Sequence, residues 1–106
     1  MRHVLDKASF AKGIKQSGVV VVDLRAPFDY EQARIDKAIN VYFFDPEFKY
    51  KILELKRDKK YYLYGKNMVT AERAMDFMNR NDFKHVYILQ EGWEGWNTAT
   101  TEPDVQ

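Results

Sequence analysis

The stretch VVVVDL, residues 19–24, decides the fold class of this chain. Four β-branched residues follow one another without a polar interruption, which is typical of a strand buried on both faces in a helix-covered parallel sheet. Two similar runs follow, YYLY at residues 61–64 and VYIL at residues 86–89, and segments with helical patterns separate them. This alternation predicts an α/β fold whose parallel strands are joined by right-handed crossovers.

The remaining elements follow from local start and stop signals. Pro27 favours the first turn of a helix over residues 27–33. Asp45 is a candidate N-cap for a third helix, and Thr70 is a candidate N-cap for a long helix over residues 71–81. The other predicted elements are a helix over residues 9–15, a short strand over residues 38–41 and a terminal helix or turn over residues 92–96. We therefore expect a parallel sheet of about four to five strands with helices on both faces.

Length and composition limit the class of protein. The chain has 106 residues, which fits one domain over residues 1–106, and we expect residues 98–106 to form a flexible tail. A formal net charge of +1 argues against a nucleic-acid partner. The longest aliphatic run, residues 19–22, is too short to cross a bilayer, and the first residues lack the apolar run of a signal peptide. We expect a cytoplasmic protein with no membrane partner.

The chain contains no cysteine. It therefore has no disulfide, no thiolate metal ligand and no cysteine nucleophile. Its two histidines, His3 and His85, lie far apart in the sequence, and neither has a second ligand at metal-binding spacing. The sequence predicts neither a metal site nor a cofactor.

Three segments carry a resemblance to a known family. Residues 23–41 are similar to a D-x-R motif, an acidic-aromatic helix and the pattern G-H-I-x-G-A-I-N. The matching residues are Asp23, Arg25, Ile35, Ala38, Ile39 and Asn40, whereas Ala33, Arg34 and Lys37 replace Gly, His and Gly. Residues 82–96 are similar to the ending G-F-x-x-V-Y-x-L-x-G-G-x-x-x-W, and residues 61–78 supply the strand, loop and helix between them. Together these segments resemble the rhodanese-like domain family over nearly the whole chain.

The resemblance fails at the loop that carries the chemistry of the family. Active rhodanese-like sulfurtransferases have the motif Y-C-x-x-G-x-R-S after the strand, and the cysteine position falls here on Gly65. The following positions are occupied by Lys66, Asn67, Met68, Val69, Thr70 and Ala71. Sulfur transfer through a persulfide needs a thiolate, and glycine supplies no side chain. The resemblance therefore implies a catalytically inactive domain used for protein interaction or for regulation.

Two alternative functions stay open. The loop from Gly65 to Ala71 is a candidate small-anion site, because Lys66 supplies charge, Thr70 a hydroxyl, and backbone amides gather at the helix start. The other alternative is an enzyme with chemistry that does not use cysteine, at the same cleft and with Asp23, Lys66 or Thr70. An unknown protein and a small anion are the two candidate partners.

Several residues have both a structural and a functional interpretation. Asp23 and Arg25 are interpreted as an ion pair that supports the loops rather than as an acid and a substrate clamp. Met68 and Val69 either fill the empty loop or face outward as a contact surface. The basic and aromatic residues between 49 and 62 are interpreted as a solvated helix face followed by a strand, not as a nucleic-acid surface.

Overall fold

The computed structural model describes the backbone of residues 3–101 and the side chains of residues 3–97. Strands and helices alternate along the chain as the sequence predicts. The elements are β1 (Val4–Leu5), α1 (Lys7–Gly13), β2 (Val19–Asp23), α2 (Pro27–Gln32), β3 (Ile39–Asn40), α3 (Phe48–Leu53), β4 (Lys60–Tyr64), α4 (Met68–Arg80), β5 (Val86–Leu89) and α5 (Gly92–Thr101).

The strands form one five-stranded sheet in the order β1-β5-β4-β2-β3, and every pairing in it is parallel. The predicted parallel α/β sheet is thus confirmed. The sequence did not reveal β1, because two half-buried residues at the sheet edge carry almost no periodic signal. Its pairing with β5, Val4 beside Ile88, makes it part of the sheet.

The strands bury both faces, and successive residues alternate between two hydrophobic clusters. On one face Val22, Leu63 and Ile88 pack against residues of α3 and α4. On the other face Val21, Tyr62 and Leu89 share a cluster with Phe10 of α1. Helices therefore cover both faces of the sheet, which explains the uninterrupted apolar run of residues 19–22.

Two predicted helix starts are wrong. The N-cap of α4 is Asn67, whose Oδ1 accepts a hydrogen bond from Val69 N at 3.0 Å, so Thr70 lies inside the first helical turn. The N-cap position of α3 is Glu47, and Asp45 accepts from Glu47 N at 2.8 Å in the turn just before the helix. At the start of α4 two cap-forming residues, Asn67 and Thr70, lie three positions apart, and local propensity alone does not choose between them. At the start of α3 the N-cap residue Glu47 makes no side-chain cap hydrogen bond.

The backbone has the left-handed conformation at two positions where the family pattern has glycine. Lys37 has φ 67° and Asp82 has φ 71°. Residues with a Cβ are strained in this region. Both left-handed turns are thus formed by residues with a Cβ, at positions where the family pattern has glycine.

The end of the described chain is helical. Helix α5 includes residues 98–101 of the predicted tail, and residues 102–106 lie outside the described residues. Among residues 3–101, none of the helices has the length and apolar character needed to cross a membrane.

Candidate functional site

A cleft lies at the carboxyl ends of β2 and β4, which are neighbouring strands in the sheet. Helix α2 follows β2 on one face, and α4 follows β4 on the other, and such a reversal is where open α/β sheets usually bind ligands. The cleft has a volume of about 470 Å³. Its lining residues are Leu24, Arg25, Ala26, Asp29, Tyr42, Phe44, Lys66, Asn67, Val69 and Thr70. We call it the strand-end cleft.

A smaller cleft of about 270 Å³ adjoins the strand-end cleft. Arg25, Asp29 and Lys66 line both clefts, and the smaller one is completed by Gln32, Ala33, Trp93 and Glu94. Of the seven loop residues from Gly65 to Ala71, only Lys66, Asn67, Val69 and Thr70 line the strand-end cleft. The structure thus places four of the seven candidate residues at this cleft, whereas Gly65, Met68 and Ala71 do not line it.

The side chain of Thr70 fills the space next to Gly65. A Cβ atom added at Gly65 would overlap Thr70 Oγ1 and would lie 3.3 Å from the backbone oxygen of Asn67. Gly65 is itself buried at the end of β4. The place from which a nucleophilic side chain would extend is therefore taken by a threonine hydroxyl.

The loop after β4 is joined to the start of α5. Trp93 N donates to Gly65 O at 2.8 Å, and Glu94 N donates to Lys66 O at 3.2 Å. The approach is close, because a Cβ at Gly92, where φ is +66°, would lie 2.5 Å from Lys66 O and 2.6 Å from Asn67 Cα. These first-turn amides of α5 are thus used by loop carbonyls and not by a ligand.

The early start of α4 changes the part of the loop that would hold an anion. Asn67 Oδ1 occupies the amide of Val69, and Ala71 is fully buried in the core. Met68 packs against the core, whereas Val69 is 56% exposed. Each interpretation of this residue pair therefore applies to one residue: Met68 packs inward, and Val69 faces outward. Lys66 is solvent-exposed, with its Nζ 4.0 Å from Glu94 Oε2.

Asp23 and Arg25 form a buried ion pair beside the strand-end cleft. Arg25 Nη2 donates to Asp23 Oδ2 at 2.7 Å and Arg25 Nε donates to Asp23 Oδ1 at 3.0 Å. Asp23 is 0% exposed. Burial lowers the pKa of Arg25, but the adjacent Asp23 carboxylate outweighs it and raises the pKa overall. Both groups are occupied with each other and with the backbone.

Tyr64 is the member of this network that sequence reasoning missed. Its hydroxyl donates to Asp23 Oδ2 at 2.6 Å and accepts from Ile35 N at 3.0 Å. Burial, followed by the hydrogen bond to Asp23, raises the pKa of Tyr64. The available signal was register, because Asp23 and Tyr64 are partners in the pairing of β2 with β4 and face the same side.

The ion pair also holds the chain between α2 and β3. Arg25 Nη2 donates to Ala33 O at 2.6 Å, and Asn40 Nδ2 donates to the backbone oxygens of Asp23 and Arg25 at 3.0 and 2.9 Å. The guanidinium carbon of Arg25 lies 4.4 Å from the ring centroid of Trp93. The matching family residues Asp23, Arg25 and Asn40 thus meet in one hydrogen-bonded unit.

The histidines do not form a metal site in the described part of the chain. His3 stacks on Tyr87 with ring centroids 4.6 Å apart, and His85 is exposed. No group of three or more His, Asp or Glu side chains among the described residues could hold a metal ion.

Comparison with known proteins agrees with this geometry. A family model described as "Rhodanese-like domain" matches residues 6–99. The protein YqhL of Bacillus subtilis is 28% identical over 92 residues, which are 87% of this chain and 70% of that protein. A tRNA uridine(34) hydroxylase of Acinetobacter baumannii is 27% identical over 94 residues, and the match covers 85% of this chain but only 30% of the hydroxylase.

Solved structures give the same result. A rhodanese-related protein from Thermoplasma volcanium superposes with a TM-score of 0.78 and 25% identity over 93% of both chains. The BH2092 protein from Bacillus halodurans superposes with a TM-score of 0.75 and 25% identity, over 92% of this chain and 73% of that one.

Proposed function

Because this chain belongs to the rhodanese-like domain family, we propose that it is a catalytically inactive member that acts in the cytoplasm as a protein-interaction or regulatory module. One observation carries the proposal: the family's cysteine position is Gly65, and the Thr70 hydroxyl occupies the space beside it. Sulfur transfer needs a thiolate that attacks a sulfane sulfur and carries it as a persulfide. This chain has no thiol anywhere.

The surroundings of the strand-end cleft support an interaction role. Phe44 is 64% exposed and Val69 is 56% exposed, and both line the cleft. Apolar side chains grouped in this way at a concave site are typical of surfaces that bind partners. The buried ion pair keeps the cleft in one shape without taking part in chemistry.

An assay of sulfurtransferase turnover tests the proposed lack of catalytic activity. With thiosulfate as donor and cyanide as acceptor, we expect no thiocyanate above the level without protein. Turnover that scales with protein concentration and survives repeated purification would refute it.

Variants at the cleft test the interaction part. We expect Val69→Asp, at an exposed first-turn position where an acidic residue suits the helix dipole, to abolish retention of a partner by the immobilised protein. Tyr50→Asp is the matched control, because Tyr50 is 72% exposed and does not line the cleft. A set of retained proteins that is the same for both variants and the original chain would contradict the use of this cleft.

Small-anion binding at the loop from Gly65 to Ala71 is the second candidate function. It is favoured by the position of Lys66, which is exposed and lines both clefts next to Arg25. Titration with phosphate, sulfate, thiosulfate or arsenate should then shift the amide resonances of the loop. Unshifted loop resonances at millimolar anion would exclude it.

An enzyme with other chemistry at this cleft is the third candidate, and the geometry favours it least. Asp23 is fully buried and paired with Arg25, and the Thr70 hydroxyl points at Gly65. Asp23 therefore lacks the access to substrate that acid–base catalysis needs. Turnover of any compound in a metabolite screen would revive this candidate.

A further inference from the structure

A second concave surface lies between α3 and α4, and none of its lining residues belongs to the candidate anion loop. It has a volume of about 600 Å³. Three phenylalanine rings form its floor: Phe43 and Phe48 have centroids 5.0 Å apart, and Phe48 and Phe77 have centroids 6.4 Å apart. We call it the α3–α4 groove. Its floor offers an apolar side chain an aromatic surface to pack on.

The rim of the α3–α4 groove has an excess of available positive charge. Within residues 3–97, Arg73 and Arg80 are exposed, line the groove and form no ion pair. Lys49 adds a third cation, with its Nζ 5.6 Å from the ring centroid of Phe77. Two acidic residues also line the groove. Asp45 forms an ion pair with Lys51 at 2.7 Å, so Asp76 is the acidic lining residue outside that pair.

One stripe of α4 connects the groove with the strand-end cleft. Val69, Arg73, Phe77 and Arg80 recur at intervals of four, four and three residues, and so lie on one face of the helix. Phe44 lines the strand-end cleft, and its ring centroid lies 5.1 Å from that of Phe43 in the groove floor. The exposed apolar residues and the aromatic floor thus form a continuous surface.

We propose that the α3–α4 groove binds an acidic segment of a partner protein. An apolar side chain of that segment packs on Phe43 and Phe77, and carboxylates on either side of it meet Arg73 and Arg80. The two arginines are seven residues apart, which is about 10.5 Å along the helix. Arginine binds carboxylates through paired hydrogen bonds, and aromatic residues and arginine are enriched in interfaces.

Charge is the reason for choosing an acidic protein segment. The unpaired cations of the rim require negative charge in the occupant, and the aromatic floor requires an apolar group next to it. Net charge of the whole chain is only +1, which gives a nucleic acid no extended field to follow. This inference rests on the proposed interaction role and adds the surface and the kind of partner.

Selection from a library of random peptides displayed on phage tests the inference with the full chain. We expect the enriched peptides to carry Asp or Glu on both sides of an aromatic or aliphatic residue. The most enriched peptide, synthesised with a fluorescent label, should bind Arg73→Glu/Arg80→Glu at least about tenfold more weakly than the original chain. The control Lys12→Glu/Lys84→Glu reverses two exposed charges that do not line the groove and should change the affinity less than about twofold.

Several results would overturn the inference. These are the absence of any enrichment, enriched peptides that are basic or uncharged, and equal binding by the two charge-reversed proteins. A different outcome is that enriched peptides shift the protein's amide resonances at the strand-end cleft. That result would overturn the groove as the binding surface but leave the interaction role intact. Tighter binding of a mixed-sequence oligonucleotide than of the acidic peptide would also overturn it. Sulfurtransferase turnover, by contrast, would refute the proposed function and say nothing about the groove.

Discussion

At the scale of single residues, the chain has other residues at positions where the family pattern has the reactive cysteine or a glycine. Gly65 stands at the nucleophile position, and the neighbouring Thr70 hydroxyl fills the space that a side chain there would need. Lys37 and Asp82 hold left-handed backbone where the family pattern has glycine. The missing nucleophile and the left-handed turns can thus both be assigned to individual positions.

Restoring a side chain at Gly65 should destabilise the fold through its overlap with Thr70. We expect Gly65→Ala to lower the free energy of unfolding by about 1–3 kcal/mol, because the added carbon overpacks a buried site. In the Thr70→Ala background the same change should cost less, and urea unfolding of the four proteins measures the coupling. Strictly additive costs would contradict the contact. For the same reason, Gly65→Cys alone is not expected to yield sulfurtransferase turnover.

Relief of left-handed strain should stabilise the protein. We expect Lys37→Gly to raise the free energy of unfolding by up to about 1 kcal/mol, since glycine removes the Cβ penalty but adds freedom to the unfolded chain. Asp82→Gly should gain less, because aspartate tolerates this conformation better than lysine. Asp36→Gly, next to Lys37 but without a positive φ, is the control and should be destabilising. A loss of stability in Lys37→Gly would refute the strain.

At the scale of elements, the start of α4 determines the character of the loop. Because Asn67 caps the helix, residues 68–70 are helical, and the first-turn amide of Val69 is already bonded. The carbonyls of Gly65 and Lys66 are bonded to the start of α5. The loop is therefore short and hydrogen-bonded to α5, and Lys66 is its exposed charged residue.

The two candidate caps can be compared directly. We expect Asn67→Ala to cost about 1 kcal/mol of unfolding free energy, because the amide of Val69 loses its acceptor. Thr70→Ala should cost clearly less, since Thr70 lies inside the first turn. Thermal or urea unfolding of both variants measures the difference. A larger cost for Thr70→Ala would contradict Asn67 as the N-cap of α4.

The hydrogen-bonded unit of β2 and β4 should show in the pH dependence of stability. The pKa of Tyr64 is raised above the value of 10.0 that applies to an exposed tyrosine, so the unfolded chain loses this proton first. Its contribution is therefore fully present below pH 10 and is lost as the pH rises further through the folded pKa. We expect the alkaline decline of the unfolding free energy to be shallower in Tyr64→Phe. At neutral pH this variant should lose about 1–3 kcal/mol, because Ile35 N is left without its acceptor.

Sequence patterns predicted the elements with strong periodicity. The uninterrupted run of β2 and the exact bounds of β5 are confirmed. Patterns did not predict the start of α4, because Asn67 and Thr70 are both good caps three residues apart. They also did not predict the role of Tyr64, because its partner Asp23 is 41 residues away and only the strand register joins them.

At the scale of the whole molecule, a parallel sheet covered on both faces holds a cleft at its strand ends and a groove between two helices. The cleft is positioned where the family carries its chemistry, but its buried charges are paired and its nucleophile position is empty of side chain. The groove presents aromatic rings and two arginines that form no ion pair with any side chain of residues 3–97. The family's fold is thus present in a chain without a thiol, which supports the binding role that we propose.

Intact-mass spectrometry after incubation with thiosulfate tests whether this chain can carry sulfane sulfur covalently. Carriage of sulfane sulfur requires a polarisable side-chain atom at the end of β4, and glycine at residue 65 provides none. We expect the protein to keep its mass, with an active cysteine-containing sulfurtransferase as the positive control. A covalent sulfur adduct on this chain that a thiol reductant removes would contradict it.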